Sequence, residues 1–118
     1  MASAPPDHQG PTTLNGTTRV DILSEPATGI VNMAICIRVK NLDTAEVTAI
    51  LYETVVSGDV AHEVERITGI GVGVTNRDLV SPLAPFHVKV GRKLQMALSG
   101  AAATSNPEVF VDFHAYQA

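Results

Sequence analysis

Residues 31–56 read VNMAICIRVKNLDTAEVTAILYETVV, and this stretch decides the fold. In its first ten residues one face of an extended chain is wholly apolar, formed by Val31, Met33, Ile35, Ile37 and Val39. A two-residue alternation of this kind is typical of a strand with one buried face. Residues 41–44 predict a turn, because Asn and Asp side chains close local hydrogen bonds, and residues 46–56 resume as a strand. The stretch therefore predicts an antiparallel hairpin.

The rest of the chain repeats this pattern of short strands and turns. Further strands are predicted at residues 18–23, 60–75, 79–90, 94–98 and 109–116. Pro82 and Pro85 remove backbone donors, so the strand over 79–90 should be an edge or interrupted strand. These features predict an all-β fold, an antiparallel β-sandwich or jelly roll of about seven or eight strands.

Residues 60–75 combine a strand pattern with three glycines. Gly69, Gly71 and Gly73 fall on one face of this predicted strand, which would let another backbone or a bulky side chain approach closely. A phosphate-binding loop is excluded because the glycine spacing is wrong and no helix follows. Asp59–Arg66 is the best candidate for a helix, and the glycines would end it within about two turns.

The N-terminal segment differs from the body of the chain. Residues 1–17 hold three of the seven prolines, Pro5, Pro6 and Pro11, and Leu14 is their one large aliphatic residue. Such a segment cannot bury its own backbone. We therefore expect an extended Pro-rich arm over residues 1–17, followed by a β-sandwich domain over residues 18–118. A partner would order the arm; the alternative is that the arm lies on its own domain.

Composition argues against several classes of protein. The net charge is −4 and the eight Lys and Arg residues are spread along the chain, which disfavours a nucleic-acid partner. Cys36 is the single cysteine, so neither an intrachain disulfide nor a multi-cysteine zinc site is expected. No apolar run approaches the roughly 20 residues of a membrane span, and the signal-peptide pattern is missing. We expect a protein made in a cytosol.

The chain also lacks a recognisable catalytic pattern. His8, His62, His87 and His114 are separated singles without the spacing that pairs two histidines on one face. No nucleophile stands near a base in the sequence, and the acids fall at turns and on expected solvent faces. We predict a protein that is not an enzyme, with no catalytic residues, metal or cofactor. A carbohydrate-binding sandwich module is an alternative, disfavoured because the chain has no Trp to stack on sugars.

Some strands carry apolar residues on both faces. Ile50 and Tyr52 oppose the core face of their strand, and Phe110 and Tyr116 do the same in the last strand. Since a sandwich needs one apolar face per strand, the second face indicates contact with an oligomer, a host lattice or the chain's own loops. With the arm, the predicted partner-contact residues are Pro5, Pro6, Pro11, Leu14, Ile50, Tyr52, Phe110 and Tyr116.

The stretch Ile37–Leu51 resembles a motif common in small tailed-phage proteins, in which an apolar strand ends in an Asn-x-Asp-Thr turn and a Thr/Val strand follows. The turn at Gly91 and the closing strand at 109–116 extend the resemblance to residues 18–117. It implies a virion structural protein of the capsid cement or decoration type, which binds the shell of major capsid subunits. A homo-oligomer, with a trimer as the working expectation, and assembly into the virion in the host bacterial cytoplasm are also implied. A neck, connector or tail-fibre-associated protein is the alternative.

Overall fold

The computed structural model of the chain describes residues 6–80 and 83–118, and the secondary structure of this part is entirely β. The strands are β1 (Asp7–Thr13), β2 (Val20–Leu23), β3 (Ile30–Lys40), β4 (Val47–Val55), β5 (Val60–Ile70), β6 (Thr75–Asn76), β7 (Phe86–Val88), β8 (Arg92–Leu98) and β9 (Glu108–Gln117). The two-residue β6 and three-residue β7 raise the number of strands above the expected seven or eight.

The strands form two antiparallel sheets. The first sheet has the order β1-β9-β3-β6, with β7 also paired to β3, and the second has the order β2-β8-β4-β5. Aliphatic side chains from both sheets fill the space between them. The fully buried ones are Leu14, Ile22, Leu23, Ala34, Ile37, Val39, Ala49, Leu51, Val88, Leu94, Met96, Val109 and Val111. The prediction of an antiparallel β-sandwich is confirmed.

The predicted hairpin over residues 31–56 is wrong. β3 pairs with β9, β6 and β7 in the first sheet, whereas β4 pairs with β8 and β5 in the second. The connection over residues 41–46 therefore crosses from one sheet to the other. Its polar side chains turn inward instead of closing a tight turn, which makes the crossing possible (see below).

The apolar face predicted for β3 is interrupted. Ala34 pairs with Phe113 and Cys36 with Asp112, so Ile35 is an extra residue relative to β9. A one-residue insertion reverses the faces of a strand beyond it. Accordingly Ala34 points into the core before the insertion and Ile37 points in after it, while Met33 is half-buried. The uniform alternation that we read from the sequence does not hold along the whole strand.

Most of the predicted arm belongs to the sandwich. Residues 7–13 form β1, which pairs with β9 at the edge of the first sheet, and Leu14 is 1% exposed in the core. The strand fits against β9 at Gly10, where a Cβ would lie 2.6 Å from the carbonyl oxygen of Val109. The prediction of a separate arm is therefore wrong for residues 7–17. A Pro-rich but otherwise extended segment can still form an edge strand, and here it pairs with the free edge of β9. Pro5 lies outside the described residues.

The glycine-rich segment is a strand end instead of a bare strand face. β5 ends at Ile70, and the chain turns back so that Gly73 N donates to Asn41 O at 3.2 Å. Gly73 adopts a φ of +73°, which favours glycine in this turn. Asp59–Arg66 is not helical: Asp59 closes the β4–β5 turn and β5 follows it. Residues 79–90 were expected to form an edge or interrupted strand. In the described part of this segment only the short strand β7 forms, and it pairs with β3, as expected.

Candidate interaction surfaces

The buried Asn41 holds the crossing between the sheets. Its side-chain amide donates to the carbonyl oxygens of Ala45, Ile70 and Gly71 at 2.9, 3.0 and 3.2 Å. Its side-chain oxygen accepts the backbone N–H of Asp43 at 2.8 Å. The residue is fully buried and therefore ties the end of β3 to the end of β5 inside the protein.

Asp43 organises the loop between β8 and β9. Its carboxylate accepts the backbone N–H groups of Ala103 and Thr104, each at 2.8 Å, and those of Thr44 and Ser105 at 2.8 and 3.2 Å. These bonds, led by the one from Ala103, hold the pKa of the Asp43 carboxyl well below its usual value despite the opposing effect of desolvation. The turn that contains Asn41 and Asp43 therefore fixes the position of the loop before β9.

The outer face of the second sheet is occupied by a polar network of the chain itself. Gln95 accepts hydrogen bonds from Arg19 at 2.8 Å and from Thr54 at 2.6 Å, and it donates to Asp21 at 2.8 Å. Lys93 lies 3.0 Å from the same Asp21 carboxylate. Desolvation raises the pKa of Asp21, but the bonds from Gln95 and Lys93 outweigh it and lower the pKa overall. This face already satisfies its own polar groups.

Two of the predicted contact residues are buried within the chain, so the prediction that they contact a partner is wrong for them. Ile50, which shares a strand with this network, is 6% exposed and offers almost no surface to a partner. Leu14 is buried in the core and is likewise unavailable. Tyr52 is half-buried on the same outer face, where it pairs with Gln95 and Glu63.

The outer face of the first sheet carries exposed aromatic and polar side chains, and we call it the β9 surface. Across it, Met33 pairs with His87 on β7 and with His114 on β9, which places the three side chains in one row. His87 Nδ1 and the Tyr116 hydroxyl are joined by a 2.7 Å hydrogen bond, and their rings meet edge to face at 5.9 Å. This row could not be predicted from the sequence, because the two histidines lie on different strands and come together only through the pairing of both strands with β3.

In the other half of the β9 surface, the Asp112 carboxylate connects three strands. Asp112 Oδ1 lies 2.6 Å from His8 Nδ1 on β1 and 3.1 Å from Arg38 Nη2 on β3. The Arg38 guanidinium also lies over the ring of Phe110, 5.1 Å from its centre. Burial, and next the Asp112 charge, raise the pKa of the Cys36 thiol, so this half-buried thiol is poorly suited to act as a nucleophile.

A shallow apolar depression lies at the Tyr116 end of the β9 surface. It has a volume of about 470 Å³ and is lined by Ile30, Val31, Lys89, Val90, Tyr116 and Ala118. Val90 is 47% and Tyr116 41% exposed, so the depression presents apolar atoms to solvent beside a single cationic side chain. Such a site fits an apolar side chain of another protein.

Strand β5 forms the second exposed surface, which we call the β5 edge. It ends the second sheet, and eight of its eleven residues are exposed. Five of the nine exposed large hydrophobic side chains among the described residues lie on β5 or in the connections at its two ends: Val56, Val60, Val64, Val72 and Val74. Arg66 donates to both carboxylate oxygens of Glu63, at 2.5 and 3.2 Å.

The predicted contact residues are only partly brought together. Phe110 and Tyr116 lie on the β9 surface, and Pro11 is exposed at the position of β1 that lies opposite Phe110. Pro6 is half-buried beside the start of β1. The β5 edge escaped prediction because its exposed valines alternate with polar residues as those of a half-buried strand do.

In residues 6–80 and 83–118, no three His, Cys, Asp or Glu side chains are arranged to hold a metal ion. Nor does this part of the chain include a helix long and apolar enough to cross a membrane. A scan against protein-family models and searches of curated proteins and of solved structures found no match to this chain.

Proposed function

We propose that the chain is a non-enzymatic structural subunit of a phage particle, a cement or decoration protein that binds the shell of major capsid subunits. The observation that supports this most directly is the gathering of exposed apolar side chains on two separate surfaces. Large exposed apolar patches on a protein of this size indicate contact with other proteins. The resemblance of the Asn41–Thr44 turn and its flanking strands to phage proteins supplies the class of partner.

The β9 surface is the better candidate for the shell contact. Its depression combines a partly exposed Tyr116 with the aliphatic Val31 and Val90, and aromatic residues at a desolvated pocket dominate many protein interfaces. Polar groups surround it, since His87, His114 and Lys89 stand at or near its rim. An apolar centre with a polar rim is the usual arrangement of a protein interface.

The proposal is tested by adding the purified chain to phage particles assembled without it and counting the bound copies. Tyr116→Asp should reduce the apparent affinity at least about tenfold, because it places a charge in the depression and removes the hydrogen bond to His87. Ala101→Asp is the matched control: it adds the same charge at an exposed site before β9, at the end of that strand far from Tyr116. It should bind as the unmodified chain does.

The copy number decides between positions in the particle. Hundreds of bound copies support the shell, whereas about six or twelve would overturn the cement assignment in favour of the neck or tail. Equal binding by Tyr116→Asp and the unmodified chain would remove the β9 surface from the contact. Particles that bind no copies at all would contradict the proposed function.

A further inference from the structure

We propose that the β5 edge joins two copies of this chain, antiparallel and related by a twofold axis, into a continuous eight-stranded sheet. A strand at the end of a sheet presents unpaired backbone N–H and C=O groups that can pair with another strand. β5 is such a strand over eleven residues, and most of its side chains are exposed.

Several features protect this edge against indiscriminate strand pairing. Relative to β4, β5 has extra residues between Glu63 and Glu65 and again between Ile67 and Ile70. Bulges and charged side chains on an edge disfavour the addition of unrelated strands. A partner must therefore match the charges of β5, and the sequence of β5 itself does so.

The charges of β5 are complementary to themselves in one antiparallel register. When Glu63 of one copy stands opposite Arg66 of the other, the symmetry places Arg66 of the first opposite Glu63 of the second. The two side chains share one face of β5, as their ion pair within the chain shows. The four charges then alternate in sign around the axis, which favours this register over one that puts glutamates opposite each other.

Antiparallel pairing also brings the exposed valines at the two ends of β5 close together. It places the start of one β5, with Val56 and Val60, beside the end of the other, which is followed by Val72 and Val74. All four valines are exposed in the single chain. Apolar exposure thus supports the antiparallel direction, and the charges select the register.

This pairing is isologous and closes with two copies, in contrast to the trimer expected from the sequence. It is independent of the β9 surface and of the proposed function, since it concerns only the chain with itself. We expect the purified chain to have twice its 12.4 kDa mass by sedimentation at micromolar concentrations.

Charge reversal provides the test. Arg66→Glu makes both facing pairs Glu–Glu, and Glu63→Arg makes both Arg–Arg, so each variant alone should raise the dimer dissociation constant about 30-fold or more. An equal mixture of the two variants should form a heterodimer of full mass, because each Glu then faces an Arg. Arg77→Glu, an exposed reversal away from β5, is the matched control and should remain a dimer.

Each alternative result overturns the proposal. A chain that stays at 12.4 kDa as its concentration rises does so, as do variants that dimerise normally or a mixture that remains monomeric. Hydrogen exchange of the unmodified chain gives a second readout that does not depend on how the variants fold. Protection of the β5 amides should increase with concentration, and protection that is independent of concentration would contradict the pairing.

Discussion

Asn41 and Asp43 show how residues that favour turns can serve a different purpose when they are buried. Besides local bonds within residues 41–45, both side chains bond to backbone groups of distant segments, the end of β5 for Asn41 and residues 103–105 for Asp43. A buried polar group that is fully hydrogen-bonded fixes one arrangement, because losing a partner leaves another group unsatisfied. The turn thereby positions the two loops at one end of the sandwich.

The Asp43 carboxylate should make stability depend on pH. Its pKa is lowered in the folded chain, so its contribution is fully present above the unfolded value of about 3.9 and is lost as the pH falls below it. Asp43→Asn should lower the Tm at pH 7 by about 5 °C or more, since the amide cannot accept all four backbone N–H groups.

Thermal unfolding from pH 7 to pH 2 measures this effect. The gap in Tm between the unmodified chain and Asp43→Asn should stay constant down to about pH 4 and shrink below it. Asp78→Asn, which changes an exposed carboxylate in another turn, should leave Tm nearly unchanged. A gap that persists undiminished at pH 2 would contradict the role assigned to the Asp43 charge.

At the scale of elements, the strands could be predicted from the sequence, but their pairing could not. The strands predicted at residues 94–98 and 109–116 correspond to β8 and β9. The hairpin between β3 and β4 was predicted wrongly because Asn and Asp residues favour two different structures. When their side chains are exposed they favour a tight turn, and when the side chains bond to distant backbone groups they allow the chain to cross between sheets. The insertion at Ile35 could not be predicted from the sequence, because Ile35 continues the apolar pattern of the strand.

β1 is the element whose attachment can be tested most directly. Gly10 has a φ of +124°, and a Cβ there would lie 2.6 Å from Val109 O and 3.2 Å from the Cα of Phe110. Gly10→Ala should therefore push β1 away from β9 and lower the free energy of unfolding by about 1–3 kcal/mol. The amides of residues 7–13 should then exchange hydrogen faster than those of β8.

Gly100→Ala is the control for β1. A Cβ at Gly100 would meet nothing within 4 Å, so this substitution should change the free energy of unfolding by less than about 0.5 kcal/mol. If Gly10→Ala left the protection of β1 unchanged, the close fit of β1 against β9 would be refuted.

For the whole molecule, the candidate surfaces were only partly visible in the sequence. Phe110 and Tyr116 were predicted from the apolar residues on the second face of their strand, and the structure places both on the β9 surface. Ile50 followed the same rule and is buried, because the rule cannot tell a partner from cover supplied by the chain itself. The β5 edge could not be predicted because it depends on the order of the strands. Only the folded structure shows that β5 ends the second sheet and has a neighbouring strand on one side only.

The two proposed surfaces have a joint consequence for attachment to a particle. A dimer formed through the β5 edge carries two β9 surfaces, and two linked sites bind a repeating shell more tightly than one, commonly by a factor of about 100 or more. Arg66→Glu should therefore weaken apparent binding to particles although it leaves Tyr116 and the depression untouched. An equal mixture with Glu63→Arg should restore the affinity, because it restores the dimer.

Cosedimentation with particles over a range of chain concentrations would measure this. The ratio of apparent dissociation constants between Arg66→Glu and the mixture should approach the gain expected of two sites, while Tyr116→Asp should weaken binding in both backgrounds. Equal affinities for the monomeric variant and the restored dimer would exclude bivalent attachment. Since the mass of each species is measured separately, that result would leave the β5 pairing standing and would place its twofold axis where both β9 surfaces cannot reach the shell together.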